Sequence, residues 1–283
     1  DALAPQRPEA IRGHLARRQD DRETGMGRAG HAQAIAALLL GGRRTGGAEP
    51  EVQQTRRGAR LVQNGSVLSE VLAQPGATDS VFDVLAASVR SFSPGDRVGI
   101  LGFAGGGVIA PLRALGGGHR LSGVDLDRAG YELFCDLSAG WMGAVQFAQS
   151  DAVEWLHSQR GKFDLLLEDL SVGRNGDVFK PDVSIDTLPR LVQSKLKPSG
   201  VTVFNLLPGD DRTWAEMTAK VCAPFGFGVQ VLFESYYNRV LVLGNEALPP
   251  AREVSRLLRA ELTAIGSEMA ADISVRSLRL GKR

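Results

Sequence analysis

Acidic residues stand directly after three strand candidates of this chain, and a glycine-rich turn stands after a fourth. The acidic positions are Asp125, Asp151, Glu168 and Asp169, and the glycines lie within residues 102–107. Carboxylates accept hydrogen bonds from hydroxyl groups and can take up protons. A glycine turn lets a ligand approach the backbone without a Cβ in the way. Together these residue types indicate a nucleotide-type ligand with proton-transfer chemistry beside it.

The position of Asp125 favours contact with a ribose. It lies roughly twenty residues after the glycine turn, the spacing at which an acidic side chain meets the sugar of a bound nucleotide. Asp127 follows two residues later, where the next helix begins, and we interpret it as a helix cap. Capping is also the structural alternative for Asp125. We include the intervening Leu126 in the predicted nucleoside site.

Strand and helix patterns alternate from the glycine turn onward, which predicts a parallel α/β sheet with right-handed crossovers. We assign residues 93–270 to this Rossmann-like nucleoside-binding domain and 271–283 to a tail. Residues 51–92 read as a small β-hairpin unit around Asn64-Gly65 with a linking helix. The irregular segment at 171–182 is predicted to form a wall of the site.

Residues 1–50 are rich in alanine, glycine and arginine and contain two helix-compatible pieces. We interpret them as a loosely attached helical extension. The pairs Arg17-Arg18 and Arg43-Arg44 suit either phosphate contact or a solvated helix face, and we favour the solvated face.

Composition narrows the classes of partner. The chain has 283 residues, 43% hydrophobic and 23% charged, and a formal net charge of +1. A net charge so close to zero does not predict electrostatic binding to nucleic acid or to an anionic membrane. The longest apolar run near the N-terminus, residues 34–40, is too short to span a bilayer. Cys135 and Cys222 lack pairing or metal spacing, which favours a reducing, cytoplasmic location. The four histidines show no ligand spacing, so no metal is predicted.

Several motifs in chain order resemble one known family. The glycine turn is followed by Val-Asp-Leu-Asp at 124–127 and Ser-Asp-Ala at 150–152. Next come two longer motifs, Lys-Phe-Asp-Leu-Leu-Leu-Glu-Asp at 162–169 and Leu-Lys-Pro-Ser-Gly-Val at 196–201. This series resembles the class I methyltransferase fold that binds S-adenosylmethionine, and within it the spermidine synthase family, over roughly residues 58–244. The resemblance implies a seven-stranded, mostly parallel sheet with helices on both faces.

The resemblance also assigns roles to individual residues. It implies a nucleoside surrounded by Gly102, Gly105 and Gly107, with the ribose on Asp125 and the adenine near Asp151 and Ala152. Asp169 matches the aspartate that orients or deprotonates the attacking amine. Tyr236 or Tyr237 would line the acceptor pocket. The implied co-substrate is S-adenosylmethionine or its decarboxylated form, the implied partner is a small-molecule acceptor, and a homodimer is expected.

The chain departs from the family pattern where polyamine chemistry would take place. Gly105 stands where the family has an aspartate that grips the aminopropyl chain, and Leu68 stands in place of a glutamine. The family's Tyr-His-Glu run reads Val-Phe-Asp at 81–83, and its second aspartate and proline are replaced within 170–173. A di- or triammonium substrate must be desolvated and paired by several carboxylates. The nucleoside site therefore matches the family better than the aminopropyltransferase site does.

A sulfonium donor already carries a good leaving group, so the protein mainly aligns the nucleophile and supplies one base. We predict Asp169, helped by Glu168, as that base. In the alternative, Glu168 pairs with an arginine and Asp169 caps a loop. The favoured function is methyl transfer to a small amine or hydroxyl acceptor. Aminopropyl transfer, a non-catalytic binding or assembly protein, and nicotinamide dinucleotide binding are the alternatives.

Overall fold

The computed structural model describes residues 50–63, 65–174, 177–209, 211–278 and 280. The strands form a small antiparallel sheet, a large mixed sheet and a two-stranded hairpin. The strands are β1 Glu51–Thr55, β2 Gly58–Gln63, β3 Ser66–Leu72, β4 Arg97–Leu101, β5 Arg120–Asp125, β6 Val145–Gln149, β7 Phe163–Glu168, β8 Val172–Arg174, β9 Asp177–Phe179, β10 Leu196–Leu206, β11 Phe227–Phe233, β12 Arg239–Gly244 and β13 Ile273–Ser277.

Helices connect and cover these strands. Within the described residues they are α1 Val81–Phe92, α2 Ile109–Ala114, α3 Ala129–Ser138, α4 Ala152–Ser158, α5 Asp182–Asp186, α6 Leu188–Lys195, α7 Trp214–Cys222, α8 Ala251–Ala264 and α9 Met269–Asp272. Local sequence explains several of their starts. Ser80 caps α1, and Thr213 with Glu216 forms a reciprocal capping box at α7.

The large sheet runs in the order β13-β11-β12-β10-β7-β4-β5-β6. Strands β6, β5, β4, β7 and β10 are parallel, and β12, β11 and β13 are antiparallel to their neighbours. The chain leaves β4 toward β5 and β6 and then crosses to β7 on the other side. Strand order thus reverses beside β4, and crevices at such a switch point are where open α/β sheets bind ligands.

Alternating side chains of the sheet fill two hydrophobic layers. On β7, for example, Leu165 and Leu167 enter the layer that includes α1 and α8, while Leu166 between them enters the layer that includes α4 and α7. Residues on a strand alternate between faces, so a central strand covered on both sides is apolar except where a buried polar group has a partner, as Asp164 and Glu168 of β7 do. All six residues of β7 are buried.

The structure confirms the predicted Rossmann-like, mostly parallel sheet with helices on both faces, and corrects three details. The large sheet has eight strands rather than seven, because part of the expected tail pairs as β13 with β11. The segment expected to be irregular contains the hairpin β8–β9. Residues 184–195 have the pattern of one helix but belong to two, α5 and α6, because the chain breaks at Thr187 and a new helix begins with Pro189 in its first turn.

The hairpin unit before the large sheet forms as predicted, with a third strand added. β2 and β3 pair antiparallel, and β1 pairs with β2. The predictions for residues 1–49, including both arginine pairs, lie outside the described residues. No helix in the described part of the chain is long and apolar enough to cross a membrane.

Candidate functional site

A cavity of about 390 Å³ opens at the carboxyl ends of β4, β5 and β7. This volume falls within the range of small-molecule sites. Its walls come from strands β2 and β3, the start of α1, the glycine turn, the ends of β5 and β6, the segment after β7, the end of β10 and the turn before β12. Of the residues predicted for the site, those lining the cavity are Gly102, Gly107, Asp125, Leu126, Asp151, Ala152 and Asp169.

The glycine turn after β4 is shaped by close contacts with its neighbours. Gly102 has φ +84°, and a Cβ there would lie 2.8 Å from the carbonyl oxygen of Asp169. Only glycine fits this position without strain. Gly107 donates its N–H to the Ser69 hydroxyl at 3.0 Å. Strand β3 therefore rests directly on the turn.

Gly105 faces the small sheet rather than the cavity. A Cβ at this position would lie 2.7 Å from Val71 Cγ2 and 3.1 Å from the Ser69 side chain. Gly105 is also not among the described residues that line the cavity. Its predicted role beside the nucleoside stays a prediction, and the contacts observed here are packing contacts.

Asp125 links β5 to the glycine turn. One carboxylate oxygen accepts the N–H of Ala104 at 2.8 Å, and the other accepts the N–H of Asp127 at 3.2 Å. The Asp127 carboxylate in turn accepts the N–H of Ala129 at 3.0 Å, as expected for a cap at the start of α3. A carboxylate offers about four acceptor positions, so one side chain can accept several hydrogen bonds at once.

The next strand end supplies a polar edge and an apolar surface. Asp151 caps α4 by accepting the N–H groups of Val153 at 2.8 Å and Glu154 at 3.3 Å, and both Asp151 and Ala152 line the cavity. Leu126 is 70% exposed although its side chain is large and apolar. An exposed leucine beside a polar edge is suited to covering the face of a flat, uncharged base.

Asp169 lies at the opposite side of the cavity, directly after β7. Its carboxylate accepts a hydrogen bond from Asn205 Nδ2 at 2.6 Å. Asn205 in turn accepts one from Asn238 Nδ2 at 2.9 Å. Burial raises the pKa of Asp169 to about 6, although the Lys180 ammonium and the Asn205 hydrogen bond oppose the shift. A carboxyl group with a pKa near 6 is suited to accepting a proton near neutral pH.

Glu168 lies under the floor of the site in a buried ion pair. Its carboxylate is 2.7 Å from Lys180 Nζ, and both side chains are fully buried. Ser184 and the N–H of Leu170 donate to the same carboxylate at 2.7 and 3.1 Å. Burial raises the pKa of Glu168, and Lys180 counteracts the shift. The pairing alternative for Glu168 therefore has direct structural support, with Lys180 as the partner instead of an arginine.

Lys180→Met is expected to lower the free energy of unfolding by about 3–5 kcal/mol, because it leaves the Glu168 charge buried without its partner. Denaturant unfolding measures the loss. The double variant Glu168→Gln with Lys180→Met should recover much of the stability, since both charges are then absent. Equal losses in the single and double variants would contradict a stabilising role for the pair.

The predicted tyrosines lie outside the cavity wall. Tyr236 donates its hydroxyl to the Asp79 carbonyl at 3.2 Å and packs edge-on against Phe233. Tyr237 is 58% exposed. Neither is among the described residues lining the cavity, whereas Asn238 in the same turn is. The turn therefore does contribute to the site, through a different residue.

Sequence reasoning missed four residues of the site or its support: Ser69, Lys180, Asn205 and Asn238. Asn205 could have been identified from the sequence, because it is a polar residue within the apolar run of β10. Lys180 and Asn238 lie in connecting segments with no local pattern that marks them. Ser69 becomes significant only because β3 packs on the glycine turn.

The charged side chains among the described residues that line the cavity are all negative. Among the described residues that line it there are four aspartates, Asp125, Asp127, Asp151 and Asp169, and no lysine, arginine or histidine. The described part of the chain contains no group of three or more metal-ligating side chains. Cys135 and Cys222 are free, and Cys222 is buried. The cavity therefore favours a neutral or cationic ligand.

Comparisons with solved structures find the same architecture in a methyltransferase-like protein and in spermidine synthases. Human methyltransferase-like protein 13, in complex with SAH, is 16% identical with a TM-score of 0.50, covering 65% of this chain and 89% of that one. Spermidine synthase from Thermotoga maritima is 13% identical with a TM-score of 0.51, covering 71% and 72%. A spermidine synthase in complex with the transition state analogue AdoDATO is 11% identical with a TM-score of 0.53, covering 79% and 78%.

Comparisons with protein-family models and with curated proteins found no match. The likeness to the solved structures therefore establishes the architecture, and the chemistry must be argued from the site. The chain has the class I methyltransferase fold, extended by a small antiparallel sheet before it.

Proposed function

We propose that this protein is a group transferase that uses S-adenosylmethionine, transferring the methyl group to a small acceptor. The observation that carries the proposal is that Asp125 and Asp169 line one cavity from opposite sides of the glycine turn. One carboxylate is placed to hold a sugar, and the other to take a proton. The cavity lies at the switch point of the sheet, where this class of fold binds its ligands.

The residues present fit an adenosine group. Asp125 presents at the cavity wall a carboxylate, which accepts hydrogen bonds from hydroxyl groups, and Gly102 leaves the turn backbone uncovered. Asp151 and Ala152 provide a polar edge for the base, and Leu126 provides an apolar face. The sulfonium of the bound co-substrate supplies an electrophilic carbon with a good leaving group. No basic side chain among the described lining residues repels this cation.

In the proposed mechanism, Asp169 accepts the proton of the acceptor's O–H or N–H group. The acceptor atom forms a bond to the methyl carbon, the carbon–sulfur bond breaks, and its electron pair stays on sulfur as a thioether. Asn205 orients the Asp169 carboxylate through the 2.6 Å hydrogen bond. The apolar wall around Asp169 excludes water, which strengthens its interaction with the acceptor.

Crowding at Gly105 supports methyl transfer over aminopropyl transfer. The family's aspartate that grips the aminopropyl chain would be at this position, but a Cβ there would lie 2.7 Å from Val71 Cγ2. At such a distance the Val71 side chain or β3 itself must shift. The acceptor end of the cavity contains Asp169 and two uncharged asparagines, Asn205 and Asn238, which is too few carboxylates for a polyammonium substrate.

Aminopropyl transfer is the second candidate, favoured by the charge of the whole cavity. Decarboxylated S-adenosylmethionine lacks the carboxylate of the parent compound and is therefore more cationic. The four aspartates among the described residues that line the cavity would attract it more strongly.

Calorimetry with both donors separates the two candidates. We expect S-adenosylmethionine to bind at least as tightly as its decarboxylated form. A preference of tenfold or more, about 1.4 kcal/mol, for the decarboxylated form would favour aminopropyl transfer. If neither compound binds, the transferase proposal fails and a non-catalytic role is left.

A further inference from the structure

The side chain of Lys180 holds the chain on both sides of Asp169. Its ammonium nitrogen Nζ lies 2.7 Å from a carboxylate oxygen of Glu168, the residue before Asp169. The same nitrogen donates to the carbonyl oxygen of Leu170, the residue after Asp169, at 2.8 Å. The side chains of Lys180 and Glu168 are both fully buried. One cation therefore fixes each end of the three-residue segment that carries Asp169.

Backbone hydrogen bonds connect this segment and Lys180 to the large sheet. Asp169 donates its N–H to the carbonyl of Leu101, at the end of β4, at 2.8 Å. Lys180 directly follows the hairpin β8–β9 and donates its N–H to the carbonyl of Pro208, beyond the end of β10, at 3.2 Å. Lys180 thereby joins the hairpin to the ends of β7 and β10.

The ammonium of Lys180 also acts on the charge of Asp169. Burial raises the pKa of Asp169, and Lys180 is the strongest of the influences that lower it, ahead of the Asn205 hydrogen bond. Repulsion by Glu168 raises this pKa by less than Lys180 lowers it. The buried pair therefore favours the ionised form of Asp169, the form that can accept a proton.

Among the described side chains, the other groups next to Asp169 are neutral. Gly102 of the glycine turn and Asn205 of β10 contact it, and Ser184 of α5 donates to the neighbouring glutamate. The other carboxylates that line the cavity follow β5 and β6, and they are Asp125, Asp127 and Asp151. In the described part of the chain, the positive charge beside Asp169 is therefore that of Lys180.

We propose that Lys180 is a positioning residue for the proton acceptor: its ammonium fixes residues 168–170 and gives Asp169 a positively charged neighbour. Neither Lys180 nor Glu168 is among the described residues that line the cavity, so both act through Asp169. Glu168 holds the ammonium in place and takes no part in the proton transfer. The inference rests on the proposed function, in which Asp169 is the base.

The test measures the protonation of Asp169 directly and without any ligand. Carbon-13 NMR of the full chain, labelled at its aspartate carboxyl groups, follows a pH titration, and the signal missing from Asp169→Asn identifies Asp169. In the wild-type protein its midpoint should be about 6. In the double variant Glu168→Gln with Lys180→Met we expect a midpoint of about 7 or above, because an opposite charge nearby lowers a carboxyl pKa by about one unit or more.

The double variant separates this role from a purely structural one. Removing both charges should restore much of the stability lost in Lys180→Met, but the Asp169 midpoint should stay high because the ammonium is absent. If Lys180 only stabilised the fold, the midpoint would return to about 6 together with the stability. Lys180→Leu replaces Lys180→Met if the first double variant does not fold.

Lys197→Met is the matched control. Lys197 pairs with Asp164, at the other end of β7, at 2.8 Å, about 16 Å along the strand from Asp169. This variant removes the same charge from an ion pair of the same strand, so the midpoint of Asp169 should stay at about 6.

Two results would overturn the role of Lys180. One is an Asp169 midpoint that stays at about 6 in the double variant, and the other is an equal change in Lys197→Met. The proposed function fails on a different measurement, the binding of S-adenosylmethionine. Because the titration contains no donor, its midpoints decide the role of Lys180 whichever way that binding experiment ends.

Discussion

Asp125→Ala is expected to weaken the binding of S-adenosylmethionine and S-adenosylhomocysteine by about 100-fold or more. The carboxylate is placed to accept both ribose hydroxyls, and a hydrogen bond to a charged group contributes about 1.5–3 kcal/mol. It also holds the glycine turn through the N–H of Ala104 at 2.8 Å. Calorimetry with each nucleoside measures the change.

Asp136→Ala provides the control for Asp125. Asp136 is an exposed carboxylate on α3, so its removal changes the net charge equally without touching the cavity. We expect wild-type affinity for this variant. Thermal unfolding without ligand separates a lost ribose contact from a collapsed turn. An Asp125→Ala protein that folds and binds S-adenosylhomocysteine normally would refute the ribose assignment.

Asp169→Asn is expected to lower the rate of methyl transfer by about 10²- to 10⁴-fold, the usual contribution of a general base. The amide keeps the shape of the side chain, and its oxygen can still accept from Asn205, so S-adenosylhomocysteine binding should be nearly unchanged. In the wild-type protein kcat/KM should rise with pH and level off above about 6, the pKa of Asp169. Formation of S-adenosylhomocysteine with an accepting probe measures both.

Thermal unfolding provides an independent check on Asp169. Its pKa is raised from 3.8 to about 6 in the folded state, so protonation favours folding. The stability from this group is present below pH 4 and is lost as the pH rises through 6. Asp169→Asn should therefore unfold at a higher temperature than wild type above pH 6, with the difference vanishing toward pH 4. Unchanged transfer activity in this variant would exclude Asp169 as the base.

Local sequence patterns were sufficient to predict most helices and strands and the acidic residues that line the cavity. The apolar run of β7 and the hairpin of β2 and β3 each depend on a few neighbouring residues, so their outcome is encoded locally. Asp125, Asp151 and Asp169 follow strands, and the carboxyl ends of parallel strands meet at one edge of a sheet. These carboxylates could therefore be placed around one cavity from sequence order.

The edges of the fold were less predictable. β13 pairs with β11 across some forty positions of chain, and its short sequence gives no sign of a partner. The hairpin β8–β9 arises in a segment without strand-like alternation, and it is anchored by the buried pair Lys180–Glu168. Pairing over such distances depends on the path of the intervening chain, which local propensity does not encode.

By itself, the sequence determined the order of strands and helices, the glycine turn and the acidic positions around it, because periodicity and turn chemistry act between near neighbours. The tertiary structure alone decided which polar groups share the cavity. It placed Glu168 under the floor, Gly105 against Val71, and Asn205 and Asn238 in line with Asp169. These contacts join residues more than thirty positions apart or depend on how one layer rests on another, and only the packed sheet brings them together.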